Sequence, residues 1–174
     1  LVTVKTNNVY VSVNSFAFPE TTVPSVQRGI DAAAPGYTVN IDTGNFTEQL
    51  EINKDLTLNG QGSNLTNIIS PDTLSLFYTT SDVNKPVIYV HDAAEVTLKD
   101  LTVDGAGKGN ANVRFQGIGY RNAGGTVRNC EIKAIRNSII DSTQAGVGFY
   151  AYADDGIARK LSFIQNSVID FQRN

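Results

Sequence analysis

The single histidine of the chain, His91, closes the run Val87-Ile88-Tyr89-Val90-His91. A second run, Gly117-Ile118-Gly119-Tyr120-Arg121, ends on an arginine, and a third, Val147-Gly148-Phe149-Tyr150, ends on a tyrosine. Setting Ile88, Ile118 and Val147 level points Val90, Tyr120 and Phe149 inward. It also places His91, Arg121 and Tyr150 in one outward column, with Asp92 and Asn122 one residue further on. Neighbouring parallel strands lie about 4.8 Å apart. Together with Tyr89, the column would therefore present aromatic, cationic and amide groups on one face. Aromatic rings stack on the apolar faces of sugars, so a polysaccharide is the ligand this pattern calls for. The plainer alternative is the polar outer face that alternation gives any half-buried strand.

The carboxylates assemble less readily. Asp154-Asp155-Gly156 precedes Arg159-Lys160, but adjacent aspartates before a glycine favour a solvated turn. A paired-carboxylate hydrolase needs two carboxyls facing one cleft, and no second cluster stands opposite these. Asp92, Asp100, Asp104 and Asp141 fall in separate turns, whereas a calcium site needs converging oxygens. No phosphate-binding loop or HExxH pattern is present, and Gly117-Ile118-Gly119 opens no helix. The expectation is no catalytic residue, no metal and no cofactor. Cys130 is the only cysteine, which excludes an internal disulfide and a cysteine-based zinc site; in its apolar setting it reads as a small buried hydrophobe.

The 174 residues carry a net charge of −3 and are 41% hydrophobic, enough for one domain with a sizeable core. Without a basic block there is no reason to expect a nucleic-acid partner. No run of 18 apolar residues calls for membrane insertion. The start at Leu1, with no leader, reads as a processed or excised chain. Few lysines, many Asn, Thr and Gly residues, and the sequons Asn45-Phe46-Thr47 and Asn64-Leu65-Thr66 fit an extracellular or cell-surface protein.

The elements that must position these groups are short. Val26, Ile30, Ala33 and Ala34 share a helical face that Pro35-Gly36 ends. This predicts a helix over 24–34. Val39-Asn40-Ile41, Leu50-Glu51-Ile52 and Leu56-Thr57-Leu58 alternate as half-buried strands. Val2-Thr3-Val4 and Val9 to Val13 predict an edge pair within 1–23. The succession Pro35-Gly36-Tyr37-Thr38-Val39, Gly44-Asn45-Phe46-Thr47-Glu48 and Leu56-Thr57-Leu58-Asn59-Gly60-Gln61-Gly62 resembles the opening of secreted right-handed parallel β-helix proteins of the pectin-lyase-like superfamily. The stretches Asn110 to Tyr120 and Gly146 to Gly156 look like uncharacterised bacterial members of that group. The resemblance implies an all-β solenoid. The opening is also similar to that of pectin methylesterases, but their catalytic motifs have no counterpart here. The aspartate–arginine–lysine arrangement at 154–160 is a faint echo of polygalacturonases without their other motifs, so no catalytic residue is carried over.

Self-similarity supports the same reading. Leu98 to Asp104, Val127 to Lys133 and Ile164 to Asp170 each hold an inward aliphatic, a polar bend and a second strand. Equivalent positions recur about 29 to 37 residues apart, a solenoid period. This predicts about four rungs of three strands over 37–171, with protruding loops at 71–86, 105–112 and 136–145. Gly60, Asp100, Asn129 and Asn166 would set a left-handed bend and, as in similar β-helices, stack as a turn ladder. The helix would cap the first rung as part of one domain over 1–174. The rung strands run on to Asp170 with no second cap, so the end reads as open: either the natural chain continues or the edge self-associates. The function expected is a non-enzymatic scaffold, adhesin or self-assembling unit. The alternatives are a fragment of an enzyme acting on acidic polysaccharide, or a glycan-binding module.

Overall fold

Three or four residues of strict alternation make a strand too short to stand alone, so each must find neighbours on both sides. The computed structural model describes residues 2–173 and shows how they do so. In chain order the elements are β1 (Thr3–Lys5), β2 (Asn8–Val11), the helix α1 (Gln27–Ala32), β3 (Thr38–Ile41), β4 (Gly44–Thr47), β5 (Leu50–Ile52), β6 (Leu56–Asn59), β7 (Thr66–Ile69), β8 (Tyr78–Thr79), β9 (Val83–His91), β10 (Val96–Lys99), β11 (Thr102–Asp104), β12 (Phe115–Arg121), β13 (Gly125–Arg128), β14 (Glu131–Ile135), β15 (Val147–Tyr152), β16 (Leu161–Ile164) and β17 (Ser167–Phe171). The fold is all-β with parallel sheets. The first sheet runs β1-β2-β3-β6-β10-β13-β16, the second β17-β14-β11-β7-β4, and the third β15-β12-β9-β5. From β3 onward the chain visits first, second and third sheet in unbroken rotation, with β8 off the path. The helix is shorter than the predicted span of 24–34.

Register follows the aliphatic positions. Val39, Leu58, Leu98, Val127 and Phe163 stand level in the first sheet. Phe46, Ile68, Val103, Ile132 and Val168 do so in the second. Leu50, Ile88, Ile118 and Phe149 do so in the third. All of these are fully buried except Phe149, Phe163 and Val168, which belong to the last coil. Burying one such side chain stabilises the fold by about 1.5–3 kcal/mol, so these columns hold the core. The loops from second to third sheet are long after the first coil (70–82, 105–114 and 136–146), and all leave from the same corner.

The two ends differ. At the first coil, β1 and β2 form an antiparallel hairpin, and β2 pairs in parallel with β3. Helix α1 lies against β5: the Gln27 side-chain amide accepts from the Glu51 N–H at 2.8 Å and donates to the Glu51 carbonyl at 3.1 Å. It thereby makes the two bonds that a neighbouring strand would make. The Glu48 carboxylate accepts from the Val26 and Gln27 N–H groups and the Ser25 hydroxyl, satisfying helix donors that otherwise lack partners. Burial pushes the Glu48 carboxyl above its ordinary value, although these hydrogen bonds oppose the shift. At the last coil, Phe163 (43%), Ile164 (47%), Ile169 (48%) and Phe171 (36%) are exposed.

Candidate functional site

The outer face of the third sheet gathers the groups that the sequence singled out. Alternation turns Leu50, Ile52, Ile88, Val90, Ile118 and Tyr120 inward, which leaves Glu51, Tyr89, His91, Gly119 and Arg121 outward. Arg121 stands level with His91, and Gly119 with Tyr89 and, on β5, Glu51. The alignment of β15 needs a correction of two residues. Phe149 is level with Ile118, so Tyr150 is level with Gly119, and Tyr152 takes the place beside Arg121. A two-residue slip keeps every side chain on its face, so the hydrophobic pattern reads equally well in either register.

His91 is held from both sides. Its Nε2 is 2.9 Å from Glu51 Oε1 and its Nδ1 is 2.8 Å from Asp92 Oδ2. Three rings line up along this face. Tyr78 stacks on Tyr89 at 5.3 Å and 9°, and Tyr89 on His91 at 4.4 Å and 23°. Tyr78 comes from the loop over 70–82. Its hydroxyl donates to Gln116 Oε1 at 2.9 Å, and the Gln116 amide donates in turn to Asn84 Oδ1 at 3.0 Å. Burial raises the phenols of both Tyr78 and Tyr89. Gly119 leaves room for this arrangement: a Cβ there would lie 3.1 Å from Pro86 Cβ and 3.3 Å from Tyr78 Cε1. Neither Tyr78 nor Glu51 was singled out from the sequence, because a loop residue 11 positions before Tyr89 carries no local sign of stacking on it.

Arg121 closes the other side. It donates from Nη2 to Asp154 Oδ2 at 3.0 Å, and Asn122 donates to Asp154 Oδ1 at 2.7 Å. The Asp154 N–H donates back to Asn122 Oδ1 at 2.9 Å. The Asn122 and Arg121 hydrogen bonds hold the Asp154 carboxyl below its ordinary value, and the Asp154 bond raises Arg121. The Arg121 Nε is buried without a hydrogen bond. Asp155 points to a different partner. It accepts from Arg159 at 2.6 and 3.0 Å and from the Ile157 N–H at 3.0 Å, and its carboxyl falls to about 2, chiefly through Arg159. The neighbouring aspartates therefore shape one turn through two separate networks.

The turn ladder is partly as read. Asn129 donates to Asp100 Oδ1 at 3.0 Å, and both have positive φ, 54° and 58°. Gly60 precedes them without a positive φ. Its lack of a side chain serves a close approach, since a Cβ would lie 2.2 Å from the Asp100 carbonyl oxygen. Asn166 is displaced by one residue. Gln165 takes the left-handed position at φ 52°, and Asn166 bonds the Cys130 N–H and the Val127 carbonyl, both at 2.9 Å. The ladder continues elsewhere instead: Asn59 donates to Asn40 at 2.9 Å and Asn40 to Asn8 at 3.0 Å. Cys130 is buried, and burial pushes its thiol up to about 11. Among the described residues no three His, Cys, Asp or Glu side chains converge as a metal site, and no helix is long and apolar enough to cross a membrane.

Compared with models of known families and with curated proteins, the chain matches none.

Proposed function

We propose that the chain is a right-handed parallel β-helix of the pectin-lyase-like kind, and that it serves outside the cell as a non-enzymatic scaffold or adhesin that assembles through its last coil. The unbroken rotation through three parallel sheets supports the solenoid. The strong preference of parallel crossovers for the right hand supports its handedness. The strand-like bonds of Gln27 to β5 support a capping role for α1. The observation that carries the function is the group of exposed apolar side chains on β16 and β17, namely Phe163, Ile164, Ile169 and Phe171. Grouped exposed apolar side chains mark surfaces through which proteins associate. Light scattering across a concentration series is expected to show association, and Ile164→Lys with Ile169→Lys to abolish it. A wild-type monomer at every concentration would overturn the assembly reading.

A second reading, polysaccharide binding or turnover on the third sheet, is favoured by the half-buried His91, Arg121 and Tyr150 on its outer face, which the buried Tyr78 and Tyr89 rings hold in place. Rings and charge-assisted donors held rigidly in place suit an acidic sugar chain. Glycan arrays, with reducing-end and unsaturated-product assays on polygalacturonate and alginate, test it. Binding lost in Arg121→Ala supports a binding module, and turnover would make the protein an enzyme.

A further inference from the structure

A recess of about 280 Å³ opens beside the first sheet, between the β1–β2 hairpin and the turn that follows β3. It shares no residue with the third-sheet face and lies at the opposite end from the exposed last coil. Six side chains define its chemistry: Tyr10, Ser12, Ser15, Asn40, Asp42 and Gln61.

Their hydrogen-bonding capacity is unevenly used. Asp42 Oδ1 accepts from the Thr43 N–H at 2.8 Å. Among the described residues Asp42 has no ion-pair partner, so its second oxygen is open. The Gln61 amide donates to the Ile41 carbonyl at 3.3 Å, leaving its oxygen as an acceptor. Ser15 Oγ accepts from the Ser12 N–H and Ser12 Oγ from the Asn14 N–H, so each hydroxyl still has its proton to donate. Asn40 is fixed in place by the Asn8–Asn40–Asn59 ladder. Tyr10 is 43% exposed, with the Lys5 ammonium 5.4 Å from its ring centre.

An occupant must therefore bring hydroxyl donors for a carboxylate and an amide oxygen, acceptors for two serines, and an apolar face for a tyrosine. An anion would meet the Asp42 charge, and a lone carboxylate offers too few oxygens for a calcium ion. The size suits one ring rather than an extended chain. We propose that this recess binds a single uncharged sugar ring, with Asp42 and Gln61 receiving its hydroxyls and Tyr10 packing on its carbon face. The site is independent of the third-sheet reading and of assembly.

The test is an amide-resolved NMR titration of the whole chain with glucose, galactose, mannose and N-acetylglucosamine, and with glucuronate and galacturonate as charged controls. At least one neutral sugar should give saturable shifts at Tyr10, Ser12, Ser15, Asp42 and Gln61. The uronates should bind more weakly there. Asp42→Asn should weaken the neutral sugar about tenfold or more, the worth of a charge-assisted hydrogen bond. Tyr10→Ala, an exposed position whose folded state the same spectra report, should weaken it as well. The proposal is overturned if no neutral sugar shifts these amides, if uronates bind them as tightly, or if both folded variants bind like the wild type. Shifts confined to Tyr89, His91 and Arg121 would also overturn it, while supporting the third-sheet reading.

Discussion

The first and last coils are built from the same repeat yet finish in opposite ways. At the first, the Gln27 side chain bonds both the N–H and the carbonyl of Glu51, and Glu48 accepts from the Val26 and Gln27 N–H groups. At the last, the positions equivalent to the buried Leu98 and Val127 hold Phe163, still 43% exposed. A repeat fixes the register of a layer, but only a neighbour or a substitute for one completes its burial.

The largest test of this contrast is truncation of one inward phenylalanine near each end. Phe46→Ala, at a fully buried position in the first coil, is expected to cost about 3–5 kcal/mol in urea unfolding. Phe163→Ala in the monomer should cost well under half of that, because much of the ring already meets water. Equal losses would mean that the last coil is covered in solution. Next is the helix anchor: Glu48→Ala, which takes a charged acceptor from three donors, should cost about 3 kcal/mol and speed hydrogen exchange in α1 and β5, leaving β16 and β17 unchanged. Its pH signature has a definite sign. Since burial raises the native carboxyl value, the native state holds a proton that the unfolded state has already lost. The Glu48 contribution should therefore fall as pH rises from about 4.3 through the raised value, and Glu48→Gln should remove that slope.

The bends give a finer comparison. Asn129→Ala loses the bond to Asp100 and puts alanine at φ 54°, for an expected cost of about 1.5–3 kcal/mol. Gln165→Gly in the last coil, where φ is 52°, should be neutral or stabilising by up to about 1 kcal/mol, because it relieves an unfavoured backbone conformation. Smallest is the turn at Asp155. With its carboxyl at about 2, the contact with Arg159 should persist below the ordinary aspartate value and be lost only as pH falls through about 2. The Arg159 Nε NMR resonance would follow this, and a transition near 4 would contradict it.

What the sequence made legible was whatever alternation controls. Leu58, Leu98 and Val127 announce an inward column, and Ile88 and Ile118 align correctly, because a one-residue error would turn their apolar side chains to solvent. The misplacements have equally local causes. Tyr150 slipped by two, a shift that leaves both faces intact. Asn166 stands one position beyond the bend that its pattern predicts, because Phe163 and Ile164 are consecutive apolar residues and either could be the inward one. The candidate site was half visible: His91 and Arg121 stand level, and Glu51 follows from the alternation of β5 and its register with Tyr89, while Tyr78 and Asp154 reach them from other segments through contacts with no periodic signature. Gln27 was equally hidden, since nothing in a helix reveals that one of its amides will stand in for a strand.

The long loops all leave from the corner between the second and third sheets, and each returns to the register of the coil below. The loops are nevertheless tied to one another there, since the buried Gln144 amide donates to the Gly109 and Asn112 carbonyls and Asn112 Oδ1 accepts from the Leu74 N–H. Foreign segments would therefore enter at an exposed tip such as Ile139 and Ile140, 79% and 62% exposed, where the chain could mount a tethered epitope beyond the buried network that holds the loop in place.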